Sequence, residues 1–229
     1  MIRLADDLRV EKSQSLSLSA DMYHSWGAWQ GNLLVEGFFT DLSDVFALTE
    51  IGIENGILVK ERRNESGARV GGFNLEGKIA YEDHWQLQAG LTWHRSLYKE
   101  AHSWADDVEA TRKMFRTPDL YGYFVTSCSP IKPLTLSLSG TYTGRMLVEH
   151  HSGYIEQNRT EKTPGFFDLN FKIAYDFKLY RHINLQLNAG VQNFLNAWQK
   201  DFDQGPDRDS GYIYGPAAPR CFFAGIKLG

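Results

Sequence analysis

Apolar and polar residues alternate along this chain with a period of two. Ser15 to Met22 reads S-L-S-L-S-A-D-M, which puts Leu16, Leu18, Ala20 and Met22 on one face and Ser15, Ser17, Ser19 and Asp21 on the other. Leu134, Leu136 and Leu138 oppose Thr135, Ser137 and Ser139. Ile183, Leu185, Leu187, Ala189 and Val191 oppose Asn184, Gln186, Asn188, Gly190 and Gln192. The same rhythm sets Phe73, Leu75, Ile79 and Tyr81 against Asn74, Glu76, Lys78 and Ala80. It also sets Trp85, Leu87, Ala89, Leu91 and Trp93 against Gln86, Gln88, Gly90, Thr92 and His94. This is strand periodicity, because successive side chains of an extended chain point to opposite sides. No stretch sustains a helical period.

The pattern predicts nine strands, near 13–24, 30–46, 57–82, 85–98, 115–128, 133–149, 164–177, 182–196 and 211–228. The third is long, with room for a bulge or a break at Asn64 to Gly67. The connections near His24–Gln30, Glu82–His84, Ser129–Lys132 and Lys178–Arg181 are short. Those near Ala47–Gly56, Lys99–Met114, His150–Thr163 and Ala197–Ser210 are longer. Strict alternation of short and long connections suits an all-β, antiparallel, up-and-down transmembrane barrel wall. A Greek-key sandwich gives no reason for it. Several strands reach the ~9–11 residues that cross a bilayer, beyond the ~5–6 usual in globular sheets. Trp85, Trp93, Tyr81, Tyr142 and Tyr175 stand near the ends of apolar runs, where an interfacial belt would put them.

Composition narrows the classes. The chain has 229 residues, 42% hydrophobic and 23% charged, which argues against disorder. A net charge of -4 disfavours nucleic acid as a partner. No apolar run approaches the ~18 residues of a membrane helix. Mean hydropathy is -0.39, compatible with strands that hide half their residues from lipid. Cys128 and Cys221 match no metal spacing and read as free thiols. The N-terminal MIRLADDLRVEK has no signal-peptide pattern.

Several motifs carry a resemblance. Gly190 to Trp198, G-V-Q-N-F-L-N-A-W, resembles the G-V-x-N-L-F-N/D-x-x-Y strand of TonB-dependent outer-membrane receptors. Gly67 to Gly77 is similar to that family's G-a-x-x-x-G-h-E-h-E-g strand, with Asn74 at the first Glu and Glu76 at the second. Leu8 to Ser13 resembles its L-x-P-E-x-S segment, with Val10 at the Pro. Arg116-Thr117-Pro118, Phe167–Asn170 and Pro219-Arg220 follow in the family's order. Tyr142–Val148 and Arg208–Pro216 resemble receptors of the Bacteroides group.

The resemblance implies a 22-stranded barrel in the outer membrane of a Gram-negative bacterium, with residues 1–229 as its C-terminal nine strands. Plug domain and signal peptide have no counterpart in this sequence. It implies active import of a scarce nutrient: a ferric siderophore, haem, cobalamin or a glycan. The implied partners are the lipid bilayer, the plug and remaining strands, the TonB complex and the nutrient. The nine strands alone are expected to be incompetent in transport. The family usually ends on an aromatic residue, whereas this chain ends Ile226-Lys227-Leu228-Gly229.

Ligand contacts are expected from the outer loops. The candidates are His102, Trp104, Asp106 and Asp107 in the first, and His150, His151 and Tyr154 in the second. Trp198, Asp201, Asp203, Arg208 and Tyr212 come from the third. Such residues supply hydrogen bonds, charges and aromatic platforms. Glu149-His150-His151 could suggest a metal, but adjacent strand residues diverge. Asp201, Asp203, Asp207 and Asp209 with Gly205 lack the spacing of a calcium loop and its closing Glu. No metal, cofactor or catalytic residue is assigned. Glu36, Glu76, Lys78, Asp168, Lys172 and Lys227 are expected to face the lumen. Two other readings share the alternation. One is a soluble all-β ligand-binding module with apolar faces inward. The other is a barrel hydrolase using His24 or His94, which no surrounding motif supports.

Overall fold

The computed structural model describes residues 1–180 and 183–229. Fifteen strands are present among them and no helix. They are β1 (Ile2–Leu4), β2 (Lys12–Trp26), β3 (Trp29–Ser43), β4 (Val45–Glu54), β5 (Ile57–Glu65), β6 (Ala68–Tyr81), β7 (Trp85–His102) and β8 (Thr111–Lys113). The second half holds β9 (Leu120–Ile131), β10 (Leu134–Thr143), β11 (Leu147–His150), β12 (Arg159–Lys162), β13 (Phe166–Tyr180), β14 (Ile183–Gln192) and β15 (Cys221–Leu228).

Nine of these form one open antiparallel sheet in the order β15-β14-β13-β10-β9-β7-β6-β3-β2, with β8 added beside β7. Every neighbour in the path is also the next wall strand in sequence, which is up-and-down topology. The connections at 27–28, 82–84 and 132–133 are short, and those at 44–67, 103–119, 144–165 and 193–220 are long. The expected short turn at Lys178–Arg181 and the start of the strand at 182 fall partly outside the described residues.

The register keeps each face consistent across the sheet. Val35 lies opposite Leu75, and Leu75 opposite Leu91. Ile173 lies opposite Ala189, and Ala189 opposite Ala224. On the other face Glu36 lies opposite Asn74, Asn74 opposite Thr92, and Gln186 opposite Lys227. Glu36, Glu76, Lys78, Asp168, Lys172 and Lys227 therefore share the polar face. That face is cross-linked: Asn74 Nδ2 donates to Glu36 Oε2 at 2.8 Å, and Thr92 Oγ1 to Asn74 Oδ1 at 2.8 Å. Gln88 Nε2 donates to Glu76 Oε1 at 3.0 Å and to Tyr123 OH at 2.9 Å.

The apolar face has no cover. Leu18 is 81% exposed, Phe222 and Ile226 each 74%, and Phe73 55%. Aromatic clusters close it at both ends. Trp29 meets Tyr81 at 4.9 Å and Trp85 at 6.0 Å near the short turns. Phe73 stacks on Trp93 at 5.1 Å toward the long loops.

Three strand expectations are corrected. The span 57–82 is two strands, β5 and β6, and most of the expected loop 47–56 is β4. Asn55 and Gly56 both take left-handed backbone (φ 52 and 77) and close a tight β4–β5 hairpin. That hairpin leaves the wall and pairs with β1 in a separate sheet. The break before β6 is Gly67, with φ 110 and the Leu42 carbonyl where a Cβ would stand. The span 133–149 leaves the sheet after Thr143, and β11 pairs with β12 instead. The last strand starts at Cys221, ten residues later than expected, because Pro216 and Pro219 lack the N–H a ladder needs.

Candidate functional site

The four long connections gather at one end of the wall, and two of them share a core. Val148, Phe166, Tyr212 and Tyr214 pack together there, with Met146 and Ala197 against them. This joins β11 and the start of β13 to the loop 193–220. The alternation Tyr212-Ile213-Tyr214 turns two phenols inward and leaves Ile213 out.

Polar groups complete this core. His150 is 2% exposed, and its Nε2 lies 3.0 Å from both Asp203 carboxylate oxygens. Its ring stacks on Tyr212, with centroids 3.6 Å apart and planes 5° off parallel. Tyr212 OH donates to Asp201 Oδ2 at 2.8 Å, and Tyr214 OH to Asp201 Oδ1 at 2.5 Å. Gln199 is buried and spans the turn: it donates to the Tyr212 carbonyl at 3.1 Å and accepts from Tyr214 N–H at 2.9 Å. Asp209 accepts from the backbone N–H groups of His151 at 2.9 Å and Gly211 at 2.7 Å.

The electrostatics follow from these bonds. Desolvation, reinforced by the Asp201 carboxylate, pushes the Tyr214 phenol up to about 12, and the same two causes raise Tyr212. Burial acts to raise Asp201, but the two phenol hydrogen bonds outweigh it and hold the carboxyl below its ordinary value. Asp209 is likewise lowered: burial opposes, and the N–H groups of His151 and Gly211 prevail. Hydrogen bonds to the charged form favour it.

The expected ligand residues divide by placement. His150, Asp203 and Tyr212 are committed to packing the loops, with Asp203 showing 3% side-chain exposure. Trp104 is half-buried; its ring meets His151 edge-on at 4.6 Å and its Nε1 donates to Thr160 Oγ1 at 3.2 Å. Asp107 accepts from Asn158 N–H at 3.2 Å and Nδ2 at 2.9 Å, which ties loop 103–119 to loop 144–165 and lowers its carboxyl. His102 rests against Tyr98, ring centroids 5.6 Å apart. Arg208 bonds the Gly205 carbonyl at 3.0 Å. Asp106, Tyr154, Trp198, Asp201 and Arg208 are exposed. Phe202 is exposed beside Trp198, rings 6.1 Å apart. Gln199 and Tyr214 are not among the expected residues, and Asp209 enters only through the rejected calcium loop. Only the Tyr212-Tyr214 alternation hinted at the buried phenols.

No group of three or more His, Cys, Asp or Glu among the described residues could hold a metal ion. His94 is spent on Ser96, at 3.0 Å, and on the Tyr121 ring.

An open wall of up-and-down strands, apolar on one face and polar on the other, with loops collected at one end, is the architecture of a large β-barrel's side. The family profile for "TonB dependent receptor-like, beta-barrel" matches residues 3–194, and the chain belongs to that family. No curated protein sequence matches. Among solved structures, the chain is similar to the closed form of the ferric-catecholate import receptor Fiu from E. coli K12. The TM-score is 0.64 at 18% identity, over 97% of this chain and 28% of that one. It is similar to the G324V mutant of the ferric enterobactin receptor PfeA from Pseudomonas aeruginosa, with TM-score 0.60 and 16% identity over 96% of this chain and 31% of that one. The FrpB iron transporter from Neisseria meningitidis gives 0.60 and 14% over 99% and 32%. At these identities the likeness concerns the fold, and the chain spans about a third of each relative's length. None of these comparisons supports the expected Bacteroides-group likeness.

Proposed function

We propose that the chain forms the C-terminal nine strands of a TonB-dependent receptor's barrel in the outer membrane of a Gram-negative bacterium. Its apolar face meets lipid, its polar face lines the lumen, and its long loops face outward. The observation that supports this most is the separation of faces: an exposed apolar surface closed at both ends by aromatics, behind a hydrogen-bonded polar wall. A soluble module would turn the apolar face inward.

The proposed task of the receptor is import of a ferric siderophore, by analogy with the ferric-catecholate import receptor Fiu and the ferric enterobactin receptor PfeA. Ligand would touch the exposed loop groups Asp106, Tyr154, Trp198, Asp201 and Arg208. His150, Asp203 and Tyr212 hold those loops in place, and Trp104 and Asp107 brace them. The remaining strands, the plug and the TonB complex complete the machine, and these nine strands by themselves do not transport.

The test is binding of ferric siderophore, haem, cobalamin and oligosaccharide to the chain in detergent, read by quenching of tryptophan fluorescence. Ferric siderophore is expected to quench, and Tyr154→Ala with Trp198→Ala to weaken it about thirtyfold, since each aromatic contact contributes about 1 kcal/mol. A preference for one of the other three replaces the cargo. Binding of none overturns the role of the loops. Iron uptake by a strain carrying only this chain would refute the transport-incompetent reading.

A further inference from the structure

Just past the Phe73–Trp93 stack, the apolar face changes character. Two residues beyond Trp93 on β7 stands Arg95; one step further, level with Leu97, are Arg69 and Asp41 on neighbouring strands, and one more step brings Lys99, Ser43 and Lys12. Each two-residue step advances about 7 Å along the strand. Register places these on the apolar side: Gln14 lies opposite Asp41, Asp41 opposite Arg69, Arg69 opposite Leu97, and Gly71 opposite Arg95. Arg69 Nε donates to Asp41 Oδ2 at 2.9 Å, and Lys99 Nζ pairs with Asp41 Oδ1 and donates to Ser43 Oγ at 2.9 Å. Arg95 and Lys12 are exposed and have no ion-pair partner among the described residues. Lys113 lies opposite Leu97 in the same row and pairs with Asp119, so five cations stand on this part of the face against two carboxylates, in a chain whose net charge is -4.

The same strands carry a groove toward the middle of the apolar face. Gly77 and Ala89 lie opposite one another and form its floor. Leu33, Leu75, Leu91 and Phe124 line it, and its volume is about 470 Å³. Leu91, Trp93 and Arg95 follow one another on the same face of β7, so groove, girdle and cation are consecutive.

From this we infer a seat for a phosphate-bearing lipid of the outer leaflet: acyl chain in the groove, phosphates against Arg95, Arg69 and Lys99. The inference rests on the proposed membrane placement. Cations beside a membrane surface attract anionic headgroups, and each contributes about a fivefold gain in binding. Asp41 holds two of the cations in fixed positions, while Arg95 is left unpaired for the ligand.

The probe is a bisphosphorylated glycolipid titrated into the chain in zwitterionic micelles, beside its dephosphorylated form and inorganic phosphate. The phosphorylated lipid is expected to bind at least about tenfold more tightly than the dephosphorylated one, and less tightly as salt rises. Arg95→Gln should cost about fivefold, Arg69→Gln with Arg95→Gln about twentyfold. Asp41→Asn should tighten binding, and Lys172→Gln on the polar face should leave it unchanged. Arg95 has no partner to lose, so the single variant carries the test if circular dichroism shows the double one unfolded. Equal binding of the two lipids, an equal loss in Lys172→Gln, or competition by inorganic phosphate at the lipid's own concentration overturns the seat. Uptake of both lipids without preference overturns the seat alone, whereas uptake of neither also overturns the membrane placement.

Discussion

His150 lies 53 residues from Asp203 in sequence, yet the two side chains meet in the most enclosed part of the loop core. Removing the imidazole leaves a buried carboxylate without that partner and Tyr212 without its stacked ring. His150→Ala is expected to cost about 1–3 kcal/mol of loop stability, seen as faster proteolytic cutting within 144–165 and 193–220 with the strands intact. The pH range of this core follows from its neighbours. Asp201 and Asp209 are lowered in the folded chain, so their stabilisation is full above the ordinary carboxylate range and is lost as pH falls through their lowered values. Tyr214 is raised to about 12, so its contribution is full below the ordinary phenol value near 10 and is lost between about 10 and 12. Protection from hydrogen exchange in residues 197–214, taken relative to the unstructured chain at each pH, should therefore be greatest between about pH 4 and pH 10. Constant protection across both limits would contradict the assigned bonds. At this scale the sequence was partly readable. Tyr212, His150 and Asp203 stood out as loop chemistry, but their burial depends on one loop folding over another. No local period records that, and Gln199 passed unnoticed for the same reason.

The wall strands were legible because each carries its own evidence. Once apolar residues repeat at every second position, a one-residue slip would turn the whole set to the other face, so β2, β6, β7, β13 and β14 announce themselves. The β4–β5 hairpin did not, although Asn55-Gly56 is a strong turn pair. Its strands lie off the wall and mix charges with apolar residues, as in Lys60-Glu61-Arg62-Arg63, so alternation is faint. The junction from β5 to β6 depends on Gly67. A side chain there meets the Leu42 carbonyl and has to hold φ 110. Gly67→Ala is expected to cost about 1–3 kcal/mol from backbone strain alone, and more from the overlap. The measurement is the shift in the chain's unfolding midpoint in detergent. A change under a few tenths of a kcal/mol would mean the junction is not held as described.

For the molecule as a whole, the unusual feature is how much apolar surface remains uncovered. Large exposed apolar patches on soluble proteins mark interaction sites or aggregation hazards. Here most of the exposed apolar residues of the wall fall on one face, between two aromatic girdles, with Tyr23, Tyr121, Tyr123 and Val125 on the other. Trp85 and Trp93 are eight residues apart on β7, about 26 Å along the strand, or about 20 Å of height at a strand tilt of about 40°, close to the apolar band about 25 Å tall of an outer-membrane barrel. Met22 lies level with Ala89, midway between the girdles, through Leu33 and Gly77. Met22→Lys should therefore cost about 2–4 kcal/mol in a bilayer, while Tyr23→Lys, on the polar face next door, should be close to neutral. Folding titrations in vesicles would show the difference, and equal costs would contradict the facing.

The most direct test is a cysteine scan of β7 in bilayers, with Cys128 and Cys221 changed to serine. Single cysteines at 86 to 92 would carry spin labels, read for collision with oxygen, which partitions into lipid, and with a water-soluble nickel chelate. Labels at 87, 89 and 91 should favour oxygen, and those at 86, 88, 90 and 92 the chelate. The opposite phase, or no alternation at all, would contradict a wall that turns Leu87, Ala89 and Leu91 to lipid and Gln86, Gln88 and Thr92 to water.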